Sequence, residues 1–346
     1  MSYCNSSCQR AHWSSHKSVC KSLSAVSVES AYTQALERAE AGDFSGALAL
    51  FERAGEAGHA QAAMRAALSY AVGEGAAKDI TAAVRWYTRS AEAGNAEAQC
   101  ALGHCLLEGE GIEKDARAAV GWLARAAAAG SEPAALQLGN CYNTGNGIAT
   151  DSVKACMWYE RASSAEDPET AADAQFELAG LLDTGSEGVK QDQVRAFELF
   201  EKAARAGHTD AMFNLGVCYL HAEGTSANPA SAVKWWQRAA NMGHADAMHN
   251  LGMCFDNGTG APVDKVEAFK WYMRAARSGD CIDACFAVGL CFSDGTGTSV
   301  NLSEAAVWFE KAASEGHEEA AERLLDLKRE MQAAPRFPAP SASDLD

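Results

Sequence analysis

The chain has 346 residues, with 46 acidic against 29 basic side chains and a formal charge of −17. That sign repels phosphate backbones and anionic headgroups, which argues against direct nucleic-acid or membrane partners. No run of about 18 apolar residues is present to cross a bilayer. The polar opening Met-Ser-Tyr-Cys-Asn-Ser-Ser-Cys lacks the apolar core of a secretory signal, so an intracellular protein, cytoplasmic or nuclear, is expected.

Chemistry is indicated at one place, the N-terminus. Residues 3–20 read Tyr3-Cys4-x3-Cys8-Gln9-x3-Trp13-x2-His16-Lys17-x2-Cys20. Thiolates and a neutral imidazole at C-x3-C and H-x3-C spacing suit tetrahedral zinc. The segment resembles the second half of a MYND zinc finger, including Gln9, Trp13 and Lys17, which are not ligands in that family. The resemblance implies that Cys4 and Cys8 serve one zinc ion and His16 and Cys20 another. In the family each pair is completed by an upstream segment carrying two C-x2-C pairs, for which nothing here corresponds. Three readings stand: a finger continued from a longer protein, a minimal site in which Cys4, Cys8, His16 and Cys20 close on one zinc, or an amphipathic stub without metal.

From the forties onward a block of about 36 residues recurs. Its second helices open on Ala47, Ala83, Ala119, Ala155, Ala196, Ala232, Ala268 and Ala305, in steps of 36, 36, 36, 41, 36, 36 and 37. A period of this size means stacked two-helix units, each unable to bury its apolar face without its neighbours. The fold class is therefore all-α, a solenoid, and function is to be sought on an extended surface. Residues 243–279 show the unit. Ala247, Leu251 and Phe255 share one helical face, and a Gly258-Thr-Gly260 loop follows. Gly252 in mid-helix costs about 1 kcal/mol against alanine, which close approach of another helix would compensate. Asp264 then N-caps a second helix with the stripe Ala268, Trp271, Tyr272, Ala275, Ala276, ended by Gly279. The N-cap position recurs as Asp79, Asp115, Asp151, Asp192, Asn228 and Asn301. The step of 41 places five extra residues in Ser163 to Asp173, where Pro168 and four acidic residues predict a longer exposed turn.

This pattern, A-x-x-x-L-G-x-x-Y-x-x-G-x-G then D-x-x-x-A-x-x-W-Y-x-x-A-A-x-x-G, resembles the Sel1-like repeat, a relative of the tetratricopeptide repeat. Seven copies cover residues 60–317. Residues 28–58 look like a looser tetratricopeptide-type hairpin, 318–331 read as a charged closing helix, and the Pro/Ala/Ser-rich 332–346 as a disordered tail. The resemblance implies a right-handed superhelix acting as an adaptor for other proteins or peptides, and no chemistry.

The remaining signals fit that reading. Cys105, Cys141, Cys218, Cys254 and Cys291 share one repeat position and are expected as buried thiols, too far apart to bridge. His59, His208, His244 and His317 follow the terminating glycine and are expected to cap or face solvent. The Gly-x-Gly loops lack the lysine and the strand of a phosphate loop and read as turns. No triad stands out, and no span is left for the methyltransferase domain that accompanies some MYND fingers, so no enzyme and no small-molecule substrate are expected. In repeats of this kind the first helices line a groove. By position this gives Phe176, Phe213, His249 and Phe286 at one level, His104, Asn140, Val217, Met253 and Leu290 at a second, and Asn143, Asp183, Leu220, Asp256 and Ser293 at the rim. The three phenylalanines either form an apolar track for a peptide or pack against the neighbouring hairpin. The leading expectation is a protein–protein adaptor binding through that groove. The alternative is a zinc-dependent regulator whose finger takes a proline-rich peptide.

Overall fold

Alanine-rich helical blocks separated by glycine-bearing loops fold as the period predicts. The computed structural model describes the backbone of residues 13–279 and 281–333, with side chains from Ser27 onward. Among the described residues there are seventeen α-helices and no strand. The described residues form two compact units, one running to residue 170 and taking in 187–189, the other made of 171–186 and the described residues from 190 onward. Unit 1 holds α1 (Trp13–Glu40), α2 (Phe44–Glu56), α3 (Ala60–Val72), α4 (Ile80–Glu92), α5 (Ala96–Glu108), α6 (Ala116–Ala128), α7 (Glu132–Thr144) and α8 (Ser152–Ala162). Unit 2 holds most of α9 (Pro168–Thr184), then α10 (Gln193–Ala206), α11 (Thr209–His221), α12 (Pro229–Asn241), α13 (Ala245–Asn257), α14 (Lys265–Ser278), α15 (Ile282–Asp294), α16 (Leu302–Ser314) and α17 (Glu318–Ala333). Within each unit the main contacts run between consecutive helices, the nearest-neighbour pattern of a solenoid.

The odd-numbered helices from α3 to α15 open the repeats and the even-numbered ones close them. Each second helix begins at the expected cap. Asp79, Asp115, Asp151 and Asp264 accept from the backbone N–H three residues on at 2.9 to 3.0 Å, satisfying a donor the helix leaves free. The terminating glycines, such as Gly94 (φ 93°) and Gly243 (φ 100°), are left-handed.

Mid-helix glycine has the reason the sequence proposes. Gly103, Gly139, Gly216, Gly252 and Gly289 face Leu123, Tyr159, Trp236, Tyr272 and Phe309 of the following helix. A Cβ at residue 139 would come 2.6 Å from the Tyr159 ring. Each partner is the second residue of a recurring pair, Trp122-Leu123, Trp158-Tyr159, Trp235-Trp236, Trp271-Tyr272 and Trp308-Phe309, and belongs to the core, Trp236 being 1% exposed. Most of the first residues of the pairs stay half-buried, beneath a cation three positions on: Arg89 over Trp86 at 5.1 Å, Arg125 over Trp122 at 4.6 Å, Arg238 over Trp235 at 4.5 Å. The tryptophans thus belong to packing.

The Gly-x-Gly loops do more than turn. The second glycine lies against the first turn of the preceding repeat's second helix, so that a Cβ at Gly111 would meet the Ile80 carbonyl at 2.8 Å. Residue identity in the loop therefore sets how one hairpin seats on the last.

Three differences from the sequence reading concern boundaries. The inserted residues mainly lengthen α9, which runs 17 residues against 13 in α7 and α11. Pro168 opens it, and Asp167 caps it, accepting from the Thr170 N–H at 2.9 Å and its hydroxyl at 2.6 Å. Proline at a first helical position loses no bond, so the breaker expected in a turn starts a helix. The first helix of the 28–58 hairpin is part of a longer one, α1, beginning at Trp13 within the motif segment. At the other end α17 reaches Ala333, beyond the expected 331.

Candidate docking face on the first helices

Three of the first helices, α3, α11 and α13, and the closing helix α17 are each capped by a histidine that makes three contacts at once. The ring Nδ1 of His59, His208, His244 and His317 accepts from the backbone N–H of Ala62, Ala211, Ala247 and Ala320 at 3.1 to 3.2 Å. An accepting Nδ1 places the proton on Nε2, which faces Glu29 at 3.1 Å, Asp173 at 3.6 Å, Asp210 at 3.5 Å and Asp283 at 3.7 Å. Each ring also stacks on an aromatic one repeat earlier: Tyr32, Phe176, Phe213 and Phe286, at 4.4 to 4.6 Å between centroids. Cap, imidazole–carboxylate contact and stack together tie consecutive repeats. The expectation that these histidines cap is what the structure shows. The acid and the aromatic were legible as a recurring D/E-x-x-F/Y ahead of Gly-His, a signal the position-by-position reading passed over.

The groove candidates divide accordingly. Phe176, Phe213 and Phe286 are half-buried in these stacks, and Phe176 and Phe286 also lean on Phe200 and Phe309 at 6.0 and 5.7 Å. His249 stands at the same repeat position but lies tilted against Tyr272 at 5.6 Å. Burial holds its pKa below the ordinary imidazole value, against the pull of Asp283 and Asp246. The next repeat is capped by Cys281, which makes no side-chain cap bond.

Val217, Leu220, Leu290 and Met253 behave differently. They are half-buried except Met253, which is 39% exposed. Between α11 and α13 lies an open cleft of about 300 Å³, lined by Val217, Leu220, Trp236 and Met253 with Asn250 and Asn257 beside them. Its floor is fixed by the Trp236 indole N–H, which donates to the Phe213 carbonyl at 3.0 Å. At the rim Asp256 accepts from Lys265 at 2.8 Å, while the Oδ1 of Asp183 is shut from solvent with no hydrogen-bond partner. In unit 1 a similar cleft runs between α5 and α7, with Cys100, His104 and Gln137 among its walls; Asn140 accepts from the Tyr159 hydroxyl at 2.8 Å.

The repeated cysteines are buried free thiols, as the spacing implies. Burial pushes Cys254 and Cys291 up to about 11 and Cys218 to about 12, so each stays protonated near neutrality and is a poor nucleophile or metal ligand. Of the N-terminal motif, Cys4 and Cys8 lie outside the described residues, as do the side chains of His16 and Cys20 on α1. Among the described residues no group of three or more His, Cys, Asp or Glu is gathered to hold a metal. No described helix is long and apolar enough to cross a membrane.

The profile of the Sel1 repeat matches residues 39–59, 60–95, 96–131, 133–167, 172–208, 209–244, 245–280 and 282–317. These eight segments make up more than half of the sequence, and the chain belongs to the Sel1 repeat family. The first of them takes in α2, so the family pattern counts one repeat more than the seven copies read from the sequence. Among solved structures, a Sel1 repeat protein from Oxalobacter formigenes is 28% identical with a TM-score of 0.68, covering 87% of this chain and 87% of its own. A protective antigen of uropathogenic Escherichia coli strains, displaying an SLR fold, is 23% identical with a TM-score of 0.55, covering 88% of this chain and 73% of its own; it shows the likeness of fold. No curated protein matches the chain.

Proposed function

We propose that this Sel1 repeat protein is a non-catalytic adaptor that binds partner proteins or peptides along the first helices of unit 2, at Val217, Leu220, Met253, Leu290 and Asp256. Phe176, Phe213, Phe286 and His249 form the packed layer beneath that face. The supporting observation is the apolar cleft between α11 and α13, where large side chains stand partly open on a rigid, capped scaffold. Open apolar surface held in fixed geometry is what a docking partner covers. Small-molecule turnover and nucleic-acid binding are not part of the proposal, since the thiols are held protonated and the net charge is negative.

The test compares polypeptides co-purified with the wild-type chain and with Val217→Ser/Met253→Ser. Specific loss of a partner with an unchanged melting temperature is the expected result. An identical partner set overturns the proposal.

The N-terminal spacing supports a second role, zinc held by Cys4, Cys8, His16 and Cys20. Elemental mass spectrometry of the full chain should then find zinc that Cys4→Ser/Cys20→Ser loses. Metal-free wild-type protein contradicts that role and leaves the function with the repeats.

A further inference from the structure

Charge in unit 2 is sorted by helix. The first helices α9, α11, α13 and α15 carry nine Asp or Glu and not one Lys or Arg, whereas α10, α12, α14 and α16 carry ten Lys or Arg among five acids. A chain of net charge −17 need not segregate in this way; a random scatter would have put cations on both sets.

The placement along the first helices sharpens the point. Asp183, Asp256 and Asp294 stand in the last turns of α9, α13 and α15, none of which has a basic residue there. A helix C-terminus is already negative, so a carboxylate beside it is unfavourable and a cation is favoured. Asp256 has that cation in Lys265, at 2.8 Å. Asp183 has none: its Oδ1 is shut from solvent without a hydrogen-bond partner, a costly state for a carboxylate oxygen. The field of Asp183 contributes to the upward shift at Cys218 on α11, which places the carboxylate beside the helix that forms one wall of the apolar cleft.

We infer that the occupant of the first-helix face of unit 2 is a cationic amphipathic peptide segment of a partner protein. An apolar side chain enters the cleft between α11 and α13 against Val217, Leu220 and Met253, and an Arg or Lys is met by the half-buried Asp183 carboxylate through the oxygen other than the shut Oδ1. This rests on the docking reading above and adds the partner's charge. Complementary charge of this kind gives specificity and speeds encounter more than it adds raw affinity, so the inference concerns which peptides are chosen.

The experiment uses the full chain and three fluorescein-labelled pools of peptides about 14 residues long, the span of an amphipathic helix in a groove. Apolar positions are equimolar Leu, Ile, Met and Phe in all three, and the polar positions are Arg, Gln or Glu. Binding is followed by anisotropy. The Arg pool is expected to bind at least about tenfold tighter than the Gln pool, with affinity falling as salt rises from about 0.05 M to about 0.3 M. Asp183→Asn should weaken the Arg pool several-fold with melting at or above that of the wild type, and Met253→Arg should abolish it with unchanged thermal melting. Equal or tighter binding of the Gln or Glu pool, still abolished by Met253→Arg, overturns the charge inference and leaves the docking face standing. Arg-pool binding indifferent to both substitutions is attraction to the acidic chain at large and overturns both. The inference also falls if none of the pools binds, or if Met253→Arg instead dissolves a self-associated form, which would make a second copy the occupant.

Discussion

Replacing glycine by alanine inside a helix ordinarily stabilises it, which makes Gly289→Ala a sharp test of the packing described here. An alanine Cβ at residue 289 would lie 2.5 Å from Cδ1 and Cε1 of Phe309. Phe309 is 2% exposed and cannot swing away. Overpacking of a filled core costs about 1–3 kcal/mol, and the propensity gain of alanine returns about 0.5–1 kcal/mol. The net expectation is destabilisation by roughly 0–2.5 kcal/mol, against a clear gain at an unhindered position. Gly121 in α6 provides the control, because a Cβ there meets nothing within 4 Å. Gly121→Ala should therefore show the propensity gain alone, near 0.5–1 kcal/mol. Urea midpoints of the two variants and the wild type, with m-values checked for change, give the comparison. Equal stabilisation at both positions would refute the claim that ring contact dictates the mid-helix glycine.

Three further outcomes follow from the same contacts. His244→Asn keeps an N-cap of the type seen at Asn95 but loses the stack on Phe213 at 4.6 Å and the Asp210 pair, so melting should rank wild type above Asn above Ala; the Asn–Ala gap should be about 1 kcal/mol, and coincident Asn and Ala curves refute the cap. His249 binds its proton less readily folded than unfolded, so stability falls as pH drops below about 6.5, the unfolded value; His249→Phe, the residue its neighbours carry, should therefore gain over wild type between pH 7.5 and pH 5, and a gap that does not widen contradicts the burial argument. Cys218 and Cys254 should resist iodoacetamide at pH 8 in the native chain and react on denaturation; rapid native labelling would reverse the reading of these thiols as packing groups.

Periodicity carried most of the fold because one constraint acts eight times over. The alanine register, the Asp or Asn caps and the terminating glycines each follow from local backbone chemistry, and local chemistry is visible in sequence. What stayed hidden were contacts across repeats. The acid and aromatic partners of His59, His208, His244 and His317 lie about one repeat away in the chain, and the second glycine of each loop answers to a carbonyl in the preceding hairpin. The groove candidates were found by counting positions, which gives the helix and the level but not the degree of burial. Phe213 and Phe286 therefore stood beside Met253 in the count, although the first two are spent on stacking and the third is open. Length changes were the least legible: Pro168 looks the same in sequence whether it breaks a turn or opens a helix.

The central claim, that partners dock on the first helices of unit 2, is tested most directly by methyl NMR of the chain carrying 13C-methyl methionine. Met253 reports the cleft at 39% exposure, while Met157 and Met242, at 67% and 56%, are exposed and do not line it. On titration with the polypeptide that Val217→Ser/Met253→Ser fails to retain, the Met253 methyl should shift or broaden while Met157 and Met242 stay in place. Movement of Met157 or Met242 with Met253 unchanged would put the partner elsewhere and contradict the account.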